Sequence, residues 1–334
     1  MLVVRAAGTA DIGAVMELAR LSGRGFTSLP QDRRTLADRL ALSEASFAGT
    51  VAPAEAWYTL MLEDSATATI AGIAGVRAAV GLKRPHFSFR VMTLAQYSAA
   101  IGTRFDHQAL VLVNECSGRT EVGSLFVRAE HRAGGAGSLL AASRYMLIGA
   151  DPLRFSETVM AELRGWFDEE DRCPFWESVA SKFFRLPFDE ADGMVTSTDG
   201  QFILDLSPRH PIYLELIDTH ARDAVGRVHR DGRPAMAMLE REGFAPSGLV
   251  DVFDGGPTVT CQRDHIASLR TTRRIVATVV DRAEGVPRLL STDALSGFRS
   301  TRAAVDVHPD GVSIDRATAT ALQIEDGMTI RVRL

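Results

Sequence analysis

Two stretches of this 334-residue chain hold residues whose types and spacing could do chemistry. The first is a glycine loop opened by an arginine: Arg132, Gly134, Gly135, Ala136 and Gly137 fit Arg-x-x-Gly-x-Gly, with Gly134 as an extra glycine. Glycine permits positive φ and lets a ligand touch the main chain, so successive N–H groups can turn inward at a helix N-terminus, where the dipole also favours an anion. A pyrophosphate suits such a nest. Leu125, Phe126 and Val127, just before the loop, lie in a short apolar, β-branched run (122–127) that reads as a strand. A ligand carrying amides could pair along it as if it were another strand. Coenzyme A has both parts, pantetheine amides and a pyrophosphate. The second stretch is the polar loop 226–233, where His229 offers an imidazole that gives or takes a proton near neutrality.

Each feature has a plainer reading. A glycine cluster alone reads equally well as a flexible turn before a helix. A dinucleotide-binding loop would need Gly-x-Gly-x-x-Gly after an early strand and an acid about 20 residues further on. Here the loop follows a long strand-rich segment, lacks that pattern and opens on an arginine with no place in it, so coenzyme A is the preferred ligand. A loop histidine taken alone is more often structural, and His210, in Arg-His-Pro-Ile-Tyr, competes for the proton-transfer role.

The elements that must position these residues follow from hydrophobic period and turn chemistry. Residues 2–5 read as a strand; Thr9 and Asp11 cap a helix that stops at Gly23; 25–30 is a loop, and Asp32 opens a second helix. Residues 57–62 and 69–80 form a hairpin around the turn 63–65, and 87–94 and 109–113 are extended. After the glycine loop come a helix (138–148), a strand (158–163), a short helix (175–184) and, behind Pro234, a helix (236–241). From 275 onward the pattern changes to short strands, 275–280, 302–307 and 329–334, between Gly, Pro and Asp turns. The net charge of −5 argues against a nucleic-acid footprint, which needs a basic patch. Cys116, Cys173 and Cys261 are far apart and form no Cys-x-x-Cys, so neither a disulfide framework nor a metal site is expected. No segment is apolar enough to cross a bilayer and the start is not a basic, apolar leader, so a cytoplasmic protein without a membrane partner is expected.

Strand, Arg-x-x-Gly-x-Gly and helix in that order resemble the acyl-CoA site of the GNAT superfamily of N-acyltransferases. The likeness is closer still along Gly25-Phe-Thr-Ser-Leu-Pro30, Phe89-Arg90-Val91, Ser124-Leu125-Phe126, Ala161-Glu-Leu-Arg-Gly165, Pro174-Phe175-Trp176, Arg209-His-Pro-Ile-Tyr213, Val228-His229 and Asp251-Val-Phe-Asp-Gly-Gly-Pro257. These segments, in this order, resemble the arginine N-succinyltransferase family. The resemblance implies an α+β, GNAT-like fold, a central mixed sheet flanked by helices, over residues 1–265, with a small β-rich C-terminal domain over 271–334. Two amphipathic helices ending in phenylalanine, 175–184 and 235–244, also suggest a partial second GNAT-like unit at 190–260.

For chemistry, the family implies succinyl transfer from succinyl-CoA to the α-amine of L-arginine, with no permanently bound cofactor, and a homo-oligomer or a hetero-oligomer with a paralogous subunit. The matching histidine, His229, is implied as proton donor, and the position of Leu125 is associated with succinyl-CoA; its backbone N–H is the natural oxyanion donor. Arginine as acceptor asks for a carboxylate at its guanidinium, for which Glu162, Asp251 and Asp254 are candidates. Arg90 and Arg164 are candidates for the α-carboxylate or for the succinyl carboxylate. None of the cysteines sits in a nucleophile motif, so direct transfer is favoured over a covalent intermediate. The charged loop Arg230-Asp231-Gly232-Arg233 and Phe26 depart from the family pattern, leaving ornithine as an alternative acceptor and a non-catalytic CoA-thioester-binding subunit as an alternative of another class.

Overall fold

The computed structural model describes residues 1–334 except 24, 25, 27, 84 and 198–200, and only the backbone of 192, 193 and 195–197. In chain order the chain begins β1 (Leu2–Ala6), α1 (Ile12–Ser22), α2 (Arg33–Phe47), β2 (Trp57–Asp64), β3 (Thr69–Arg77), β4 (Ser88–Ser98), β5 (Thr103–Val113), β6 (Thr120–Val127) and α3 (Ala136–Ala150). It continues through β7 (Thr158–Glu162), α4 (Ser181–Phe184), α5 (Phe188–Ser197), α6 (Gln201–Leu206), β8 (Ile212–Tyr213), α7 (Thr219–Ala224), α8 (Arg233–Arg241), β9 (Ala245–Asp251) and β10 (Pro257–Gln262). It ends with α9 (Ala267–Thr271), β11 (Thr272–Val280), β12 (Val286–Thr292), β13 (Arg299–His308), β14 (Gly311–Asp315), α10 (Arg316–Leu322) and β15 (Thr329–Arg333).

These elements gather into two compact units: Met1–Ala79 with Thr120–Val159 and Gln262–Leu334, and Val80–Arg119 with Met160–Cys261. In the first, the strand order is β12-β15-β11-β14-β13-β1-β2-β3-β6, mostly antiparallel, with β11 and β14 parallel. The C-terminal strands join the first strand of the chain here: β13 pairs with β1 from Val3↔Thr301 to Arg5↔Arg299. Helices α1 and α2 bury Val15, Leu18, Leu36 and Leu40 against Met61 and Ile73, and the C-terminal strands keep a core of their own around Leu290, Ile314, Leu322 and Ile330. Asp32 caps α2 by accepting from the Thr35 N–H at 2.7 Å, as the sequence predicts. Asp11 instead accepts from the Gly8 N–H and pairs with Arg5 at 2.8 Å.

In the second unit β10-β9-β4-β5-β8 are neighbours in that order, and β7 lies beside β10. Its core is aromatic: Phe89, Phe175, Trp176, Phe184, Phe202 and Phe253 are all nearly inaccessible. The helix expected over 175–184 is there as one continuous helical stretch, widened to a π turn at Trp176–Ala180 before α4. The first hairpin differs from expectation. Its strands run to Asp64 and stop at Arg77, so the turn falls at 65–68.

Candidate active site

In the first unit, β6 pairs antiparallel with β3, from Gly72↔Val127 to Arg77↔Glu121, but the register slips: Ile73 faces Phe126 while Gly75 faces Gly123. One extra residue therefore sits on β6 at Ser124–Leu125, and Ser124 carries a left-handed φ of 51°. Such a bulge interrupts the ladder and bends the strand, opening main chain for a ligand. Leu125 and Phe126 are half-buried and Val127 is buried. Arg132 reaches back, its Nε donating to the Val127 carbonyl at 3.1 Å and its guanidinium lying over the Phe126 ring at 5.9 Å.

Gly134 and Gly135 then take φ of 72° and 83°, and Gly135 is the N-cap of α3. Beside Gly134 and Gly137 an added Cβ would meet nothing within 4 Å, so the main chain of the loop is open to an incoming group. Ala136, by contrast, is fully buried and pins the start of α3, whose residues 139–149 are all buried as well. A fifteen-residue helix anchored in this way holds its N-terminal N–H groups in place for an anion.

In the second unit three distant motifs are clipped together. The Gly165 N–H donates to Asp254 Oδ2 at 2.8 Å, the Gly256 N–H to Asp254 Oδ1 at 2.8 Å, and the His229 N–H to the Arg164 carbonyl at 2.9 Å. The approach is so close that a Cβ on Gly165 would lie 2.2 Å from the Asp254 carbonyl oxygen, and one on Gly256 2.1 Å from that of Leu163. Only glycine fits at either place. Both carboxylate oxygens of Asp254 thus hold main chain, while Asp251 Oδ1 accepts from the Phe253 and Asp254 N–H groups. Burial and the neighbouring Asp254 and Glu162 push the Asp251 carboxyl well above the usual carboxylate range; burial also raises Asp254, against the lowering effect of its two backbone donors.

His229 is 4% exposed. Its ring meets Phe167 edge-on at 5.8 Å, and Arg164 lies over the other partner of that pair, 4.2 Å above the Phe167 ring. The Asp231 N–H donates to Nδ1 at 3.2 Å, which assigns the neutral ring's own hydrogen to Nε2. Burial first, and the positive charge of Arg164 second, hold the imidazole below its ordinary value, so it is neutral at neutral pH. The Asp231 carboxylate, 3.7 Å from Nδ1, acts in the opposite sense.

Glu162 closes β7, and Arg164 follows two residues later, just past the end of the strand. His86 Nε2 meets Glu162 Oε1 at 3.0 Å; burial alone would raise this carboxyl, but His86 brings it below its ordinary value. Arg164 faces Asp171 at 3.8 Å, and its buried Nε has no hydrogen-bond partner. Arg90 is differently placed: it grips Glu115 through Nε at 2.6 Å and through Nη2, and donates to the Ser247 carbonyl at 3.2 Å. Sequence reasoning missed Ser124, His86 and Asp231 as parts of these arrangements. Only Asp231 had a local signal, its place two residues after His229.

The cysteines are unsuited to nucleophilic work. Burial pushes the Cys116 thiol up to about 11 and that of Cys173 up to about 12, and also raises Cys261. Among the described residues no group of His, Cys, Asp and Glu could hold a metal ion, and no helix is long and apolar enough to cross a membrane.

The bulged strand, arginine–glycine loop and long buried helix of the first unit suit the acyl-CoA side of an N-acyltransferase, and the second unit separately holds a neutral buried imidazole. Comparison with known proteins narrows the class. A family model described as the arginine N-succinyltransferase beta subunit matches residues 2–268, and one for that subunit's C-terminal domain matches 272–332. The arginine N-succinyltransferases of Escherichia coli O139:H28 (strain E24377A / ETEC) and of Shigella flexneri are 35% identical over 339 residues, covering 99% of this chain and 97% of theirs. Among solved structures, the arginine/ornithine succinyltransferase subunit AI from Pseudomonas aeruginosa matches with a TM-score of 0.90 and 31% identity, covering 99% of this chain and 98% of that one. The chain belongs to the arginine N-succinyltransferase family.

Proposed function

We propose that the protein transfers the succinyl group of succinyl-CoA to the α-amine of L-arginine, giving N2-succinyl-L-arginine and free coenzyme A. The observation that carries this reading is the likeness, over nearly the whole of both chains, to enzymes named for that reaction. The pyrophosphate rests on the main chain of Gly134–Gly137 at the start of α3, with Arg132 beside it, and the pantetheine amides pair along the β6 strand at Leu125, Phe126 and Val127. The Leu125 N–H receives the thioester oxygen as charge develops on it. The amine nitrogen attacks the thioester carbon, the C–S bond breaks, and the amine loses a proton as the thiolate gains one.

His229 carries that proton at Nε2 from the tautomer whose own hydrogen lies on Nδ1, turned toward the Asp231 carboxylate 3.7 Å away: Nε2 takes the amine proton, the ring becomes imidazolium, and Nε2 returns the proton to the thiolate. In the resting ring the Asp231 N–H occupies Nδ1 instead, so the hydrogen moves from Nε2 to Nδ1 before transfer. High thiol pKa values at Cys116 and Cys173 favour direct transfer over an acyl-cysteine. For the acceptor, Glu162 at the end of β7 and Arg164 two residues on offer opposite charges: Glu162 for the guanidinium and Arg164 for the α-carboxylate, while Asp251, its carboxyl pushed up by burial, holds the Phe253 and Asp254 N–H groups. Asp254 contributes by holding Gly165 and Gly256 in place. Arg90, already bound to Glu115, shapes the β4 edge.

The test is thiol release by the purified protein across a matrix of acyl-CoA donors and basic amino acids. Release with succinyl-CoA that requires arginine, with a product of the mass of succinylarginine, supports the reading. Equal rates with acetyl-CoA, or release indifferent to arginine, would count against it. Ornithine in place of arginine reports on how strictly the distal cation is read.

A further inference from the structure

The first unit contains a second polar feature beside the bulge that the reading above leaves unused. A narrow slot lined by Ser28, Arg39, Trp57, Thr59, Gly75 and Ser124 opens where β6 is bulged. Arg39, on α2, lies with its guanidinium 4.8 Å over the Trp57 ring and donates from Nη1 to the Ser28 carbonyl oxygen at 2.8 Å. Ser124, on β6, donates from Oγ to that same oxygen at 3.2 Å. Two side chains from separate elements thus converge on one carbonyl oxygen, and one of them is the residue next to Leu125.

We propose that Arg39, together with Ser124, binds the terminal carboxylate of the acyl donor and thereby selects a succinyl thioester over an uncharged one. The inference rests on the reading that the thioester sits at Leu125. A succinyl group places its carboxylate three bonds beyond the thioester carbon, a short step from the Leu125 N–H toward the neighbouring Ser124. The slot measures about 20 Å³, enough for one water-sized group. The carboxylate therefore enters by replacing the Ser28 carbonyl as the shared acceptor. That exchange is favourable, because a carboxylate brings an opposite charge and two oxygens that the planar guanidinium fork can meet bidentately, where the Ser28 carbonyl offers one neutral oxygen. Trp57 keeps the guanidinium plane fixed through the exchange, so little side-chain freedom is lost on binding. Residues Leu36 and Leu40, buried on the same helix, lock α2 and with it the base of the Arg39 side chain.

The test compares kcat/KM for succinyl-CoA with that for butyryl-CoA, whose acyl chain has the same number of carbons and no carboxylate. In the unaltered protein the ratio strongly favours succinyl-CoA. Arg39→Ala is expected to lower that ratio roughly 10- to 100-fold, the loss of one or two charge-assisted hydrogen bonds. Arg39→Lys, which keeps the charge and loses the planar fork, is expected to fall between, and Ser124→Ala to lower the ratio a few-fold. If Arg39→Ala does not fold by circular dichroism, Arg39→Lys and Ser124→Ala decide the matter. A high ratio in the unaltered protein that none of these variants moves overturns this inference and leaves the succinyltransferase reading standing. A ratio near one in the unaltered protein overturns both.

Discussion

Replacing His229 by asparagine separates its chemistry from its packing. The ring is 4% exposed, meets Phe167 at 5.8 Å and accepts the Asp231 N–H through Nδ1 at 3.2 Å, as the N-cap of the short turn Arg230–Gly232. Asparagine is itself a good N-cap, and its side-chain oxygen can take over that acceptor role. What is lost structurally is the aromatic pair, worth about 0.5–1.5 kcal/mol, and some buried volume. A destabilisation of about 1–2 kcal/mol shifts Tm by roughly 1–3 °C in a chain of this size. What is lost chemically is proton transfer, which typically contributes about 100- to 10,000-fold. Stopped thiol-release assays with saturating succinyl-CoA and arginine should therefore show kcat falling by two to four powers of ten, while the affinity for coenzyme A, measured by calorimetry, stays as it was. A variant that keeps most of the parent kcat would refute the assignment of the proton to this ring, and a fall matched by loss of fold would reduce His229 to a packing residue.

Other consequences are open to direct measurement. Because burial and Arg164 depress the His229 pKa, the ring is the free base throughout the neutral range, so kcat/KM should lose activity only below the ordinary imidazole value of about 6.5. Arg164→Gln removes the second of those causes and should move that acid limb to higher pH; a limb that stays or moves down would contradict the assignment. Glu162→Gln should raise KM for arginine roughly 10- to 100-fold with little change in KM for the acyl donor, since a charge-assisted contact to the guanidinium becomes a neutral one. Gly135→Ala places a Cβ on a residue with φ of 83°, a cost of about 1–2 kcal/mol, and should raise KM for the acyl donor roughly tenfold while leaving KM for arginine unchanged. With the Cys116 and Cys173 thiols at about 11 and 12, iodoacetamide at pH 7.5 should leave activity intact, and inactivation prevented by succinyl-CoA would argue for thiol chemistry after all.

The glycine loop, the helix after it and the cap at Asp32 were legible because their signals are local: φ freedom, helical spacing and a side chain that reaches three residues forward. The bulge was not. Nothing in Ser124-Leu125-Phe126 announces that a serine will adopt φ of 51°; the slip is set by how β6 packs on β3. Strands β12 and β14 also escaped notice, one opening on Val-Pro and the other only five residues long, and both draw their order from β13. The sequence shows the C-terminal segment as a small β-rich piece, and its composition bears that out in β11 to β15, yet the pairing of β13 with β1 is a long-range contact that no local pattern encodes.

The same limit governs the candidate site. The motifs around Glu162, His229 and Asp254 each stood out by residue type, but the clip that joins them, Gly165 to Asp254 and His229 to Arg164, depends on backbone approaching so closely that two glycines are required. Arg90 stood out equally, and its bond to Glu115, 25 residues away, became visible only once β4 and β5 were paired. Arg39 drew no attention because a lone arginine on a polar helix face is ordinary; its meaning comes from Ser124, brought to the same carbonyl oxygen by the fold.

The most direct measurement is a crystal structure with succinyl-CoA bound. The account predicts the pyrophosphate on the backbone amides of Gly134–Gly137, the pantetheine along residues 125–127, and the thioester oxygen about 2.7–3.1 Å from the Leu125 nitrogen. A nucleotide lodged away from that loop, or a thioester turned from β6, would contradict it.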